Sequence, residues 1–174
     1  MQRRFLKYAA ILLVMFGGCG ADFHAKKWAN STMKDGQSIT VVKNFIELGF
    51  SENRGMIFGI LNGHMPRQSR KILIGFRIII LLGLMGFIWI NRNKRFLFLL
   101  PFLLFWAGAI GNLIDPFLYG YVVDFIHIHA GSILNWPFYF NLADAYVTIG
   151  MVLFLLCSAF GNMEEYSLHK RKIA

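Results

Sequence analysis

The sequence predicts a membrane α-helical protein of four transmembrane helices with a small extracytoplasmic sheet, and three observations point there. The 174 residues are 56% hydrophobic and 16% aromatic, with 18 Phe, more apolar surface than one water-soluble core buries. The apolar residues gather into runs close to the roughly 20 residues needed to cross a bilayer. The basic residues flank those runs instead of forming one patch.

The first span is expected over residues 5–21, with Arg3, Arg4 and Lys7 at its start and Lys7 near enough to the end to snorkel to the headgroups. Residues 1–19 also have the basic start, apolar middle and Gly17-Gly18-Cys19 of a lipoprotein export signal. Phe16 stands where such signals usually carry Leu, which favours an uncleaved helix. An outer segment, 22–71, follows. In it Ile46, Leu48 and Phe50 alternate with Glu47, Gly49 and Ser51, the pattern of a half-buried strand, and 38–42 supplies a partner. The apolar run 56–61 is too short to span and is expected to insert partly.

The second span covers 72–90, with Arg77 snorkelling, and the third 96–114; Arg92, Lys94 and Arg95 fill the connection between them. A second outer segment, 115–144, carries a further strand over 121–129. Trp28, Trp136 and Tyr139 fit an interfacial belt. The fourth span covers 145–161, followed by Lys170, Arg171 and Lys172. The three basic groups assign both termini to the cytoplasm, because long loops such as 22–71 translocate largely regardless of their charge. The net charge of +9 therefore reports topology, not nucleic-acid binding. Cys19 and Cys157 both fall in spans, so neither a disulfide framework nor a zinc site is expected. Residues 1–174 form one domain.

From 96 to 163 there is no Lys or Arg, and the charged residues are Asp115, Asp124 and Asp144. Carboxylates at membrane depth with no cation in the same stretch mark a pathway or a catalytic site. Asp115, before Pro116, equally fits a helix end at the water boundary. Asp144 falls in the first turn of the fourth helix, with Asn141 as N-cap, where the helix dipole favours its ionised form. Asp124 lies in the apolar run Val122-Val123-Asp124-Phe125-Ile126, where desolvation favours the protonated acid. Two carboxylates sharing a proton act as base toward water and acid toward a leaving amine. Asp124, His127 and His129 are a rival metal set, but in a strand the histidines point away from Asp124 and serve as polar interface residues. No metal or cofactor is expected.

Three blocks, Gly111-Asn112-Leu113-Ile114-Asp115, Val122-Val123-Asp124-Phe125 and Phe140-Asn141-Leu142-Ala143-Asp144, resemble in order and spacing the lipoprotein signal peptidases, or type II signal peptidases. Upstream, Asp22-Phe23-His24-Ala25-Lys26 is similar to that family's Asp-x-x-x-Lys motif, and the block from Asn53 to Gly59 to its Asn-x-Gly block. The resemblance implies four helices with an outer β-cradle and a catalytic dyad at Asp124 and Asp144. It implies cleavage of bacterial prolipoproteins before a cysteine already carrying diacylglycerol, at the outer face of the inner membrane. Asn112 and Asn141 then orient substrate or the aspartates, Asn53, Asp115 and Gly55 support the site, and Asp22 with Lys26 is structural, substrate-facing or a simple surface pair. Sensitivity to cyclic peptides such as globomycin, contact with membrane lipid and a monomeric state are further expectations. Pro116 departs from the Arg that many members carry there, and Arg54 is a substitute for the missing charge by position. Two other classes stay open on the residues themselves: a small proton- or metal-dependent transporter using the same aspartates, and a non-catalytic lipoprotein or assembly subunit.

Overall fold

The computed structural model describes residues 2–34, 36–54, 67–130 and 134–173. Gly55 and the run 56–61 lie outside the described residues, as do the side chains of Trp136, Lys170, Arg171 and Lys172. Among the described residues, four helices are long and apolar enough to cross a membrane: Arg4–Thr32, Lys71–Ile90, Phe96–Leu118 and Leu142–Phe160. Their outward faces remain apolar, with Ile79 68% and Ile90 77% exposed, as lipid-facing side chains should be.

The first crossing is continuous and built in three pieces, α1 (Gln2–Leu12), a π-helical stretch Leu13–Gly17 and α2 (Gly18–Thr32). It runs well past the expected end at residue 21, because an apolar count stops at the first charge. Here Asp22 and Lys26 are paired inside the bundle, and the helical backbone continues through them. The Lys7 Nζ donates to the carbonyls of Arg92 and Lys94 at 2.6 and 2.5 Å, tying α1 to the basic turn after the second crossing. That crossing is α3 (Arg67–Ile90), and α4 (Phe96–Leu118) follows it. α4 also exceeds its expected end at 114, so Asp115 and Pro116 lie within the helix. The fourth crossing is the first part of α5 (Leu142–Ile173).

The strands β1 (Ile39–Val42), β2 (Ile46–Asn53), β3 (Val122–Ala130) and β4 (Leu134–Phe140) form one antiparallel sheet in the order β1-β2-β3-β4. β4 escapes sequence reasoning because Pro137 argues against a strand. It is an edge strand, where a missing N–H is tolerated, and its register against β3 shifts between His127 and His129. The sheet caps the end of the bundle where α2 and α4 finish and α5 starts. Leu48, Phe50 and Ile126 pack with buried Ala29, Met33, Tyr121, Val123 and Phe125 beneath it. A second core of Ile11, Met15, Ile88, Leu99, Leu103 and Trp106 holds the helices together elsewhere. Trp28 is 42% exposed, and Tyr139 stacks on His127 with ring centroids 4.9 Å apart.

α4 is the central helix, and its glycines set how closely α5 approaches. A Cβ on Gly108 would strike the backbone oxygen of Ala143 and come within 2.7 Å of Val147. One on Gly111 would come within 2.5 Å of Asp22 Oδ2 and 3.0 Å of the Ala143 Cβ. Small residues here let backbones touch, the usual route to helix association in lipid.

Candidate active site

Four elements converge where α5 begins. Asn141 is its N-cap: the Asn141 side-chain oxygen accepts the Asp144 N–H at 3.0 Å, and Asp144 Oδ2 accepts the Asn141 N–H at 3.3 Å. This reciprocal capping box uses Asp where Glu or Gln is more usual. The Ala143 N–H, another orphan donor of the first turn, is capped by Asp22 Oδ1 from α2 at 2.9 Å. The helix start that carries Asp144 is thus fixed from two directions.

β3 brings in Asp124, 2% exposed. Its Oδ1 accepts the Asn141 amide at 2.6 Å and its Oδ2 the Asn53 amide, from the end of β2, at 2.9 Å. Asn141 therefore touches both aspartates, Asp124 through its side chain and Asp144 through the capping box. Asn112 on α4 completes the ring, donating to Asp144 Oδ1 at 2.8 Å and accepting from Asn141 at 3.1 Å. Desolvation, and after it the charge of Asp144, pushes the Asp124 carboxyl up to about 7, against the pull of the Asn53 and Asn141 amides.

A cation from outside the 96–163 stretch reaches one of its three carboxylates, Asp115. Lys26 Nζ lies 2.7 Å from Asp22 and 3.0 Å from Asp115, and donates to Asn112 Oδ1 at 3.0 Å. Asp22, Lys26 and Asp115 are each no more than 1% exposed, so the Asp22–Lys26 turn is the anchor of the bundle and not a surface pair. Asp115 is likewise no water-boundary helix end: its Oδ2 accepts the Val123 N–H at 3.0 Å, so α4 fixes β3 at the residue next to Asp124.

Arg77 was expected at the headgroups, yet its Nη1 donates to the Asn112 carbonyl at 3.3 Å. It lines, with Asn53, Arg54, Ile74, Pro116 and Tyr121, a cleft beside the Asp124 strand. Arg54 sits in the same cleft, paired with Glu52 at 2.6 Å and 5.8 Å from the Tyr121 ring centre. Arg77 is the residue sequence reasoning missed; the signal available was a lone arginine inside an apolar span. The rival metal set does not assemble, because Asp124 bonds Asn53 and Asn141 while His127 and His129 stand together elsewhere on β3.

Fold and site together give a multi-span membrane protein with two carboxylates held at the junction of a helix start and a sheet. The profile of the family described as Signal peptidase (SPase) II matches residues 12–160. A lipoprotein signal peptidase of Pelodictyon phaeoclathratiforme is 38% identical over 159 residues, covering 87% of this chain and 88% of the relative. One of Caulobacter vibrioides is 42% identical over 123 residues, covering 70% and 69%. A bacterial membrane enzyme solved at 2.3 Å resolution superposes with a TM-score of 0.74 at 30% identity, covering 88% of this chain and 90% of that one. The chain belongs to the signal peptidase II family, a family of aspartic-type peptidases.

Proposed function

We propose that this protein removes the signal peptide of bacterial prolipoproteins, with Asp124 and Asp144 as the catalytic pair. The observation that carries the assignment is Asn141, whose hydrogen bonds reach both aspartates and hold them as one unit. Asp124, with its carboxyl pushed up to about 7, holds the proton near neutral pH. Asp144, at the positive end of α5, takes the proton from an attacking water. Hydroxide adds to the scissile carbonyl as Asp124 protonates its oxygen. Collapse of the tetrahedral species breaks the C–N bond, with a proton delivered to the leaving amine.

The substrate is a prolipoprotein cut before a cysteine carrying diacylglycerol, whose acyl chains stay in the bilayer while the peptide reaches the carboxylates. Asn112 and Asn141 orient the dyad, Asn53 holds Asp124, and the Asp22, Lys26 and Asp115 cluster sets the framework. Gly55 belongs to the supporting set by family resemblance. Arg54 and Arg77 supply cationic character to the cleft where Pro116 replaces the family's Arg. The site faces the outer side of the bacterial inner membrane and both termini the cytoplasm, as the Arg92, Lys94 and Arg95 turn favours. The chain acts as one monomeric unit in contact with lipid and is blocked by globomycin-type cyclic peptides.

Reconstitution with a diacylglyceryl-modified substrate tests this. The unaltered protein releases the signal peptide, while Asp124→Asn and Asp144→Asn each lose about 10²-fold or more of the rate and still fold. No cleavage by the unaltered protein, or full cleavage by either variant, refutes the assignment.

A further inference from the structure

The sheet has two faces, and the second carries a cluster that peptide cleavage does not use. Leu48 and Ile126 are partners across β2 and β3 and pack onto the core below. The neighbouring pair, Glu47 and His127, points to the opposite face by strand alternation, and His129 follows two residues along β3. One ligand atom from each of Glu47, His127 and His129 lies within 4.8 Å of the other two. All three residues are half-buried, and Nε2 of His129 is buried with no hydrogen-bond partner among the described residues.

The scaffold around them is fixed. The His129 N–H donates to the Phe45 carbonyl at 2.9 Å, holding the β2–β3 register at that point. Tyr139 on β4 stacks on His127 with planes 23° apart, and a Cβ on Gly49 would come within 2.9 Å of that ring, so the glycine makes room for it. His127 is thereby held against one side of the cluster, with the His129 ring 5.3 Å away at 72° on another.

Two imidazoles and one carboxylate are the donor set of borderline transition metals, and poor ligands for Ca²⁺ or Mg²⁺, which take oxygen. Around an ion with bonds of about 2.0–2.2 Å, tetrahedral ligand atoms stand roughly 3.4 Å apart, so modest side-chain rotations close the present spacing. We infer that Glu47, His127 and His129 bind a divalent transition-metal ion of the Zn²⁺ type, with the fourth position left to water. The ion would clamp β2 to β3, the two strands that carry Asn53 and Asp124 to the other face.

Full-length protein, purified in detergent with a tag lacking histidine and dialysed against chelator, should take up one equivalent of Zn²⁺ with micromolar or tighter affinity. Its thermal midpoint should rise with added Zn²⁺ and not with equal Mg²⁺. Glu47→Gln and His129→Ala should each weaken uptake at least tenfold while matching the helical circular dichroism of the metal-free parent. Should His129→Ala fail to fold, His129→Gln replaces it. Absence of saturable uptake, or parental affinity in any folded variant, overturns the inference.

Discussion

Arg77 donates to the one α4 carbonyl that Pro116 leaves open. In an α-helix the N–H of residue 116 would bond the carbonyl of residue 112, and proline has no N–H. Arg77 Nη1 reaches the Asn112 oxygen instead, at 3.3 Å, from a neighbouring helix. The departure from the family pattern at Pro116 and the arginine inside a span are two halves of one arrangement. Arg77→Ala should destabilise the protein by about 1–3 kcal/mol by leaving a carbonyl unsatisfied. Pro116→Ala restores the helical donor, so the same Arg77 change should cost less in that background. A double-mutant cycle on thermal unfolding in detergent measures the difference, and strict additivity would count against the link.

Lys26 serves two buried carboxylates, so its removal leaves both uncompensated. Lys26→Ala should cost about 3–5 kcal/mol and lower the yield of folded protein. Adding Asp115→Asn and Asp22→Asn to Lys26→Met should recover part of that loss, since no charge is then stranded. Comparing the thermal midpoints of the single and triple variants decides it.

The pH dependence follows from Asp124. Its folded carboxyl, near 7, lies above the ordinary 3.8, so between those values the folded state binds more protons than the unfolded. Stability contributed by this group is full below about 4, falls as pH rises toward 7 and levels off above, a loss on the order of 4 kcal/mol. Asp124→Asn should therefore be inactive yet more stable than the parent at pH 8, with little difference at pH 4. Cleavage should follow a bell whose alkaline limb falls near pH 7. Asn53→Ala removes a donor that favours the charged form, so it should move that limb upward.

Asn141 has two separable duties, capping α5 and bonding Asp124. Asn141→Ser keeps a good cap and loses the reach to Asp124, whereas Asn141→Ala loses both. The serine variant should lose the buried amide's bonds but keep the cap, so kcat falls and stability drops less than in the alanine variant. The alanine variant should add a loss of about 1 kcal/mol. Equal stability of the two would remove the capping role.

Gly111→Ala should depress both stability and cleavage, because the new methyl would meet Asp22 Oδ2 at 2.5 Å. Gly75→Ala, with nothing within 4 Å of the added carbon, is the matched control. It should be neutral or stabilising by up to about 1 kcal/mol. Parallel unfolding curves and cleavage rates separate packing from general helix propensity.

Crossings, β2, β3 and the two aspartates were legible because each depends on a local pattern: an apolar run, a period of two, or a carboxylate without nearby cations. What escaped was brought by distant chain. Lys26 reaches Asp115 across the second and third crossings of the chain, and Glu47 meets His127 only through strand pairing. β4 was hidden by Pro137, a residue whose meaning changes once the strand is known to be an edge. α2 and α4 continue as helix past residues 21 and 114, because buried ion pairs let a helix run on where its composition turns polar.

Gly108 has a further consequence, for traffic. With the backbones of α4 and α5 in contact there, and a Cβ on Gly150 reaching only 2.9 Å from the Pro101 oxygen, that seam is shut along much of its length. An acyl chain has no berth between these two helices. A cleft lined by Ile74, Arg77 and Asn53 lies instead beside the Asp124 strand. Among the described residues, close packing shuts the seam of α4 and α5 to an acyl chain, and room is left at the α3 cleft beside the Asp124 strand.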